Sequence, residues 1–479
     1  MAQLTRRSFL SGLLATTPIG LTTATAHATS ARALSIVTRT LEVNGRAASV
    51  YGLEVDGKPG GMTALLGESF RVRLTNSLDK PSLIHWHGLT PPSPQDGVPG
   101  LSQPLLEPGA AYDYDFPLTR AGTHWMHSHV GLQEQQLLAA PLIVRETAEP
   151  VFDEQEHVVM LHDFTFRDPE EILAELRSGG GAHAGHAMDH STMDHDTVDM
   201  GGGAMDTGPA MLNDVVFDAY LANDRTLDDP ETVTVEKGGW LRLRIINGAA
   251  ASNMWIHLGV LTGELVAVDG HAVHPVRGSL FPLAIAQRAD IRLRIPLEGG
   301  SFPVLFRPEG VGQRAGIILA TAGAAIARED RDGEVTPALD LSFERGLVAV
   351  AELPDEPITR TEMLMLTGGG ADYSWGLNGK PSMHDTLFTV RPGERVAVMM
   401  HNMTTMSHPM HLHGHYFQVM AIGNQRLKGA VRDTILVPPM ETVTIAFDAN
   451  NPGSWAFHCH HLYHMNAGMM GAMAYTGAA

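Results

Sequence analysis

Short runs of alternating apolar and polar residues, separated by turn residues, are the feature that most constrains the fold. Four such runs are SFRVRL (69–74), WLRLRI (240–245), DIRLRI (290–295) and TVTIAF (442–447). Successive side chains of a strand point to opposite faces, so each run predicts a strand with one buried face. The chain contains 50 Gly and 29 Pro, which supply the turns between strands. The pattern predicts an all-β protein built of β-sandwiches.

A weak internal repeat divides the chain into three related units. The segments LLGESFRVRLTN (65–76), VEKGGWLRLRIIN (235–247) and VRPGERVAVMMHN (390–402) each place a turn around Gly before a strand that ends in Asn. The copies lie roughly 150 residues apart, which is the size of one domain and too far for a solenoid. The repeat therefore predicts three tandem domains, which we place at 29–150, 151–345 and 346–479.

One segment of the second unit breaks the alternating pattern. Residues 179–211 are low in complexity and contain four His, five Met and five Asp. They show no apolar period, so we expect a mobile loop. Just before this segment, residues 169–177 (PEEILAELR) form the best helix candidate, with Asp168 as its N-cap.

The N-terminus resembles an export signal. The run TRRSFL (5–10) matches the twin-arginine pattern, an apolar stretch follows, and AHA (26–28) is a plausible cleavage site. Gly12 and Pro18 interrupt the apolar stretch, which falls short of the ~20 residues that a membrane span needs. We therefore expect residues 1–28 to be a cleaved twin-arginine signal peptide, with the mature protein periplasmic and not inserted in the membrane.

Charge and cysteine content exclude two further classes. The chain has 33 Lys and Arg against 53 Asp and Glu, a net charge of −20. Nucleic-acid binding needs clustered positive charge, so no nucleic-acid partner is expected. The only cysteine is Cys459, which excludes an intramolecular disulfide even in an oxidising compartment.

Four histidine clusters point to metal chemistry. Each contains an H-x-H pair, and residues i and i+2 of a strand share one face, so each pair can direct two imidazoles into one cavity. Imidazole is a ligand for Zn, Cu, Fe and Ni, and eight imidazoles imply several ions. The alternative, that these are ordinary core or surface histidines, would require four coincidences in one chain. The clusters are His85 and His87; His127 and His129; His408, His411 and His413; and His458, His460 and His464.

Cys459 lies between two of these histidines. On a strand it faces away from His458 and His460, so it can bind a different metal ion. A His₂Cys set with a weak axial Met is the blue-copper arrangement, and Met469 follows ten residues after the cysteine. The alternative for Cys459 is a buried, inert thiol.

At these motifs the sequence resembles the multicopper oxidases, which are three-domain cupredoxin proteins. The flanking residues 96–100, 131–135 and 432–434 match in character, and residues 217–230 resemble the copper-resistance branch. The resemblance covers nearly all of the mature chain. It implies three tandem cupredoxin-like Greek-key β-sandwich domains and four copper ions, one of type 1, one of type 2 and two of type 3.

The same resemblance assigns the ligands motif by motif. The type 1 copper would be bound by His408, Cys459 and His464 with Met469 axial, the type 2 copper by His85 and His411, and the type 3 pair by His87, His127, His129, His413, His458 and His460.

The implied reaction couples one-electron oxidation of a substrate at the type 1 copper to four-electron reduction of O₂ to water. Electrons would pass through Cys459 to the two flanking histidines. Asp96 is the proton source that the resemblance suggests, although an Asp-Gly turn residue is the equally good alternative from sequence alone.

Three substrate hypotheses remain open from the sequence. In the first, residues 183–211 bind additional copper and supply Cu(I) to a cuprous oxidase that detoxifies copper, since thioethers favour Cu(I). In the second, the protein is a laccase that oxidises phenols or aromatic amines. In the third, it is a periplasmic copper store without catalysis. We expect O₂ and a small reductant as partners, and a monomer.

Overall fold

A computed structural model describes residues 31–147, 152–179 and 212–477. The predicted signal peptide (1–28) and nearly all of the predicted Met/His-rich loop (179–211) lie outside the described residues. Within the described ranges, no helix has the length and apolar character needed to cross a bilayer.

The first two sheets enclose a core that includes Phe70, Trp86 and Tyr114. One sheet has the order β3-β2-β1-β5-β7 and the other β4-β9-β8-β6. The strands are β1 (Arg32–Val43), β2 (Arg46–Val55), β3 (Lys58–Pro59), β4 (Met62–Leu65), β5 (Ser69–Asn76), β6 (Ile84–His87), β7 (Ala111–Pro117), β8 (Gly122–Ser128) and β9 (Ala139–Arg145).

The next two sheets have the orders β11-β10-β13-β18-β15-β16 and β12-β20-β19-β14-β17. Their elements are β10 (Glu154–Phe164), α1 (Pro169–Arg177), β11 (Ala219–Ala222), β12 (Glu231–Val235), β13 (Trp240–Asn247), β14 (Met254–His257), β15 (Gly263–Val268), β16 (His271–Gly278), β17 (Leu280–Leu283), β18 (Arg288–Arg294), β19 (Ser301–Pro308) and β20 (Ala315–Thr321).

The last two sheets have the orders β22-β21-β24-β30-β26-β27, with β28 beside β26, and β23-β32-β31-β25-β29. Their elements are β21 (Arg360–Gly369), β22 (Ser374–Leu377), β23 (Thr386–Val390), β24 (Arg395–Asn402), β25 (His408–Leu412), β26 (Phe417–Ile422), β27 (Gln425–Arg426), β28 (Val431–Arg432), β29 (Thr434–Val437), β30 (Thr442–Asp448), β31 (Ser454–Cys459), α2 (Leu462–Asn466) and β32 (Met470–Tyr475).

The three pairs of sheets follow one plan, which confirms the predicted all-β fold of three related sandwiches. In one sheet of each sandwich the first long strand pairs in parallel with the repeat strand: β1 with β5, β10 with β13, and β21 with β24. In the other sheet a second parallel pair recurs: β4 with β9, β12 with β20, and β23 with β32. Parallel neighbours require a crossover connection rather than a hairpin, so the chain changes sheets repeatedly within each sandwich.

The asparagine that ends each sequence repeat has the same structural role in all three sandwiches. Asn76, Asn247 and Asn402 are fully buried at the ends of β5, β13 and β24. The side-chain N–H groups of each donate to two backbone carbonyls, at 2.7–3.1 Å. Each Oδ1 accepts the backbone N–H two residues later. The repeat therefore encodes a buried polar clamp that closes the loop after the strand.

Helix α1 confirms the helix prediction at both ends. The Asp168 side chain accepts the backbone N–H of Glu170 at 3.0 Å, as an N-cap does. Proline at the first position costs the helix no hydrogen bond. By contrast, α2 was not predicted, because its five residues are too few to show a helical period.

Replacing one clamp asparagine should destabilise the protein. Asn247→Ala leaves the carbonyls of Ser252 and Leu283 unpaired, and each buried orphan costs roughly 1–3 kcal/mol. We expect the free energy of unfolding to fall by about 3 kcal/mol, measured by calorimetry or urea titration. The control is Asn450→Ala at an exposed position, where the change should stay within about 0.5 kcal/mol. Equal effects of the two variants would refute the clamp.

Candidate metal centre

Two antiparallel strand pairs bring the histidine motifs together. In the first sandwich, β6 pairs with β8 so that His85 lies opposite His127. In the third sandwich, β25 pairs with β31 so that His411 lies opposite His458. The partner histidine of each motif follows by two residues, on the same face or just beyond the strand end. The period-two spacing therefore delivers imidazoles from both sandwiches to one interface.

The eight histidines at this interface are buried and fall into three groups. Within each group the nearest ring nitrogens lie within 4.8 Å of one another. The groups are His85, His87 and His411; His87, His127 and His460; and His129, His413 and His458. The eight residues that we assigned by resemblance to type 2 and type 3 copper are the residues that the structure brings together.

The inward nitrogens of this cluster lack hydrogen-bond partners. Those without a partner are Nε2 of His85, His127, His411 and His460, and Nδ1 of His87. The Nε2 atoms of His413 and His458 lie 2.9 Å apart. Unpaired buried nitrogens are costly, and convergent imidazole lone pairs are the donors that copper binds. The residues present therefore fit copper ions.

Three buried carboxylates orient the cluster from outside. Each contacts one histidine of the first sandwich and one of the third: Asp96 contacts His85 and His413, Asp433 contacts His87 and His411, and Glu134 contacts His127 and His460. The shortest of these contacts join Asp96 Oδ2 to His413 Nδ1 at 2.8 Å and Glu134 Oε2 to His127 Nδ1 at 3.0 Å. A carboxylate behind a metal-binding imidazole fixes the ring and makes it a better donor.

Burial determines the protonation of the cluster in the absence of metal. It is the main cause that lowers the pKa of nine of the assigned histidines, with neighbouring imidazoles adding to the effect. These are His87, His127, His129, His408, His411, His413, His458, His460 and His464. Neutral imidazole is the metal-binding form, so burial prepares the site for metal.

Cys459 forms a second centre with His408 and His464. Its Sγ lies 3.6 Å from Nδ1 of His408 and 3.9 Å from Nδ1 of His464, and those two nitrogens are 3.2 Å apart. All three side chains are fully buried. Helix α2 turns the chain so that His464 returns to the cysteine. Burial raises the pKa of the Cys459 thiol, so metal binding must displace its proton.

Met469 is fully buried next to this centre. Its carbonyl accepts the N–H of Cys459 at 3.0 Å, and its own N–H donates to the carbonyl of His464 at the same distance. These backbone bonds hold the methionine beside both residues. Its role as axial ligand stays a prediction.

The two centres are joined through a single residue. Cys459 is bonded covalently to His458 and His460, which belong to two different histidine groups. Nδ1 of His458 also donates to the Cys459 carbonyl at 2.9 Å. The backbone thus connects the thiol centre to the histidine cluster by bonds and one hydrogen bond.

Sequence reasoning missed the acidic residues around both centres, apart from Asp96. Glu134 and Asp433 lie in the flanking segments 131–135 and 432–434, so a signal was present there. Asp214 had none: its Oδ2 lies 3.2 Å from Nε2 of His464, and it accepts the hydroxyl of Tyr373. It comes from the second sandwich's part of the chain, 250 residues before the histidine, and only folding places it there.

Comparison with known proteins agrees with this arrangement. Three models, each described as multicopper oxidase, match residues 51–149, 155–331 and 355–478. The chain is 30% identical over 425 residues to the multicopper oxidase MmcO of Mycobacterium tuberculosis, covering 86% of this chain and 80% of that protein. It is 27% identical to copper resistance protein A of Pseudomonas syringae pv. tomato, covering 84% and 85% respectively.

Solved structures show the same fold. The multicopper oxidase Fet3p, which functions in iron import, superposes with a TM-score of 0.76 at 17% identity, covering 92% of this chain and 90% of that one. The laccase from Botrytis aclada superposes with a TM-score of 0.74 at 23% identity, covering 92% and 87%.

The fold and the two centres define a copper-dependent oxidase built of three cupredoxin-like sandwiches. The chain belongs to the multicopper oxidase family. It is an oxygen-dependent oxidase with copper cofactors and a reducing substrate.

Replacing the Cys459 thiol should abolish copper binding of the blue type at the thiol centre and leave copper at the histidine cluster. We expect Cys459→Ser to lose the intense blue absorption and O₂ uptake, because the thiolate is the donor that gives a blue-copper site its character. Copper bound by the histidine cluster should remain, measured by metal analysis and by its electron paramagnetic resonance signal. This remaining signal is the internal control for folding. Retained blue absorption would contradict the assignment of Cys459.

The copper-free chain should become less stable as the pH falls below about 6.5, the unfolded histidine value. His415, which is not an assigned ligand, illustrates the sign: burial lowers its pKa to about 4. Between these two values the unfolded chain binds the proton and the folded chain does not. Each such histidine therefore lowers the free energy of unfolding by about 1.4 kcal/mol per pH unit on acidification.

Urea titrations of the copper-free protein from pH 7.5 to 4.5 measure this slope. His415→Gln should reduce it by about one proton's contribution, roughly 1.4 kcal/mol per pH unit. The matched control is His384→Gln, at an exposed histidine, which should leave the slope unchanged. Identical slopes in all three proteins would contradict the prediction.

Proposed function

We propose that this oxidase is a cuprous oxidase that detoxifies copper by oxidising Cu(I) with O₂. The proposed ligands are those that the resemblance assigned, so the thiol centre binds type 1 copper and the histidine cluster binds one type 2 and two type 3 ions. When bound, these ions would take single electrons from the reductant and deliver them to O₂, which is reduced to water.

The observation that carries the choice of substrate is the set of donors against the type 1 centre. The outer nitrogen of His464 faces the Asp214 carboxylate at 3.2 Å. The other oxygen of Asp214 lies 3.3 Å from Nε2 of His461, whose ring stacks on His464 at 3.7 Å between centroids. Among the described residues, that oxygen and the His461 ring have no hydrogen-bond partner apart from this mutual contact. A carboxylate oxygen and an imidazole that face each other in this way are both donors that a copper ion can bind.

A cavity beside these donors offers further ligands for Cu(I). It has a volume of about 50 Å³ and is lined by residues that include Leu212, Met406, Ser407 and His461. A thioether and an imidazole on its wall suit Cu(I).

The position of Leu212 supports a contribution from the Met/His-rich segment. Leu212 is the first described residue after that segment, and it lines the cavity. The described chain thus resumes at a residue that lines the same cavity as His461. The proposal that residues 183–211 bind additional copper and supply Cu(I) stays a prediction.

Asp96 is the residue that we propose as the proton source for O₂ reduction. Asp96 contacts His413 through Oδ2, and its Oδ1 has no hydrogen-bond partner. A buried carboxyl with a free oxygen beside the cluster could pass a proton to reduced oxygen, so Asp96 stays the predicted proton source.

The predicted domain limits, the monomeric state and twin-arginine export to the periplasm also stay predictions.

Similarity to a copper resistance protein favours the cuprous oxidase hypothesis. Similarity to laccase-1 of Botryotinia fuckeliana, at 24% identity, supports the laccase hypothesis as the alternative. Membership of an oxidase family favours either reading over a copper store without catalysis.

The cuprous oxidase and laccase hypotheses predict different effects of an Asp214 substitution on the oxidation of Cu(I) and of a phenol. We expect Asp214→Asn to lower kcat/KM for Cu(I) by about 10-fold or more, the usual effect of removing a carboxylate from a metal site, and to lower that for a phenol less. Deletion of residues 182–211 should have the same selectivity. O₂ uptake with each reductant is the measurement.

Asp372→Asn, at an exposed acid one residue before Tyr373, is the matched control and should change neither rate. Equal losses for both reductants would show that Asp214 acts through the type 1 centre alone and would favour the laccase reading.

A further inference from the structure

One arginine of the second sandwich reaches the histidine cluster between the first and third. Arg288 is the first residue of β18 and is fully buried. Its Nε donates to the carbonyl of Thr123 at 3.0 Å, and its Nη1 donates to the carbonyl of Ala286 at 3.1 Å. The remaining N–H groups of the fork point at Asp433, with Nη1 2.7 Å from Oδ1 and Nη2 bonded to Oδ2.

Asp433 in turn contacts two assigned copper ligands. Its Oδ1 lies 3.1 Å from Nε2 of His87. Its backbone carbonyl accepts from Nδ1 of His411 at 2.8 Å. Both bonds use the outer nitrogens and leave the inner nitrogens, Nδ1 of His87 and Nε2 of His411, free. Asp433 therefore determines which nitrogen each ring presents to the metal.

The guanidinium prevents Asp433 from turning. Both carboxylate oxygens are held by the planar fork of Arg288, a geometry that a lysine cannot reproduce. Oδ1 additionally accepts the hydroxyl of Thr434 at 2.9 Å. A rotation of the Asp433 side chain that released His87 would break the bidentate pair. It would separate the buried carboxylate from its guanidinium and leave Arg288 with Asp269, 3.7 Å away, as its ionic partner.

The residue after His87 makes room for this pair. Gly88 has φ +88°, and a Cβ atom there would lie 2.6 Å from both Nη2 of Arg288 and Nδ1 of His124, and 3.2 Å from Oδ2 of Asp433. Any other residue would push against the guanidinium. The positive φ favours glycine by itself, and the close approach shows that the chain next to His87 packs directly on the guanidinium and on His124.

We infer that Arg288 is a positioning residue: through Asp433 it orients His87 and His411, so the second sandwich controls copper binding at the His85, His87 and His411 group. The inference rests on the ligand assignment proposed above and not on Cu(I) as the substrate. A failure of the substrate proposal would leave it intact.

The test compares copper retention in full-length, copper-loaded proteins. The first variant, Arg288→Lys, keeps the positive charge but cannot form the bidentate pair with Asp433. The second, Gly88→Ala, places a methyl group against the Arg288 guanidinium. Each protein is titrated with a copper chelator, while metal analysis and the type 2 electron paramagnetic resonance signal report on the histidine cluster. The blue absorption reports on the centre at Cys459, and thermal unfolding reports on stability.

Arg244→Lys is the matched control. Arg244 is also a buried arginine of the second sandwich, paired with Asp290 at 2.7 Å and Glu156 at 2.8 Å. It donates to the hydroxyl of Thr123 on the first sandwich and, within the described residues, contacts none of the assigned ligands. Arg244→Lys should lower the thermal stability. It should not change the chelator concentration that removes the type 2 signal relative to the concentration that removes the blue absorption.

We expect both test variants to lose the type 2 signal at about 10- to 100-fold lower chelator concentration, the usual effect of removing a group that orients a metal ligand. The blue absorption should keep its normal resistance. The inference would be overturned if the type 2 signal and the blue absorption were lost together, or if neither became more sensitive to the chelator. It would also be overturned if Arg244→Lys lost the type 2 signal as readily as the test variants. If Arg288→Lys does not fold, Gly88→Ala decides by the same outcomes.

Discussion

The structure depends on the burial of convergent imidazole lone pairs between two sandwiches. Free nitrogens in a dry interface are unfavourable unless a metal ion binds them. The interface is therefore built in two layers, with the inner nitrogens left free and the outer nitrogens held by carbonyls and by Asp96, Glu134 and Asp433. Because each carboxylate touches one histidine of each sandwich, the same contacts that orient the ligands also join the first and third sandwiches.

The strand that carries Cys459 connects this interface to the substrate side. Strand alternation sends the thiol to one face and its two neighbouring histidines to the other. The cysteine can thus be a ligand at one centre while its covalent neighbours are ligands at the next. On the outer side, Asp214 contacts Nε2 of His464 and the ring of His461 stacks on the ring of His464.

The second sandwich carries none of the assigned ligands, yet it contributes to both centres. Arg288 reaches the histidine cluster through Asp433, and Asp214 reaches the thiol centre through His464. Neither residue belongs to one of the histidine motifs that predicted the ligands. The middle sandwich thus places a charged side chain against a histidine of each centre or against the carboxylate that holds it.

Much of this protein could be predicted from its sequence, because the signals are local and periodic. Alternation gave the strands, the Gly-to-Asn repeat gave three sandwiches, and H-x-H spacing gave the ligand pairs, since a strand places i and i+2 on one face. The role of Asn247 as a clamp and the pairing of Arg288 with Asp433 were not predictable. Those contacts join residues distant in the chain, and no periodic pattern records which strand ends meet. The sequence determined the metal chemistry, whereas tertiary structure decided which acids and which arginine surround it, because only packing of the three sandwiches brings them within hydrogen-bond distance.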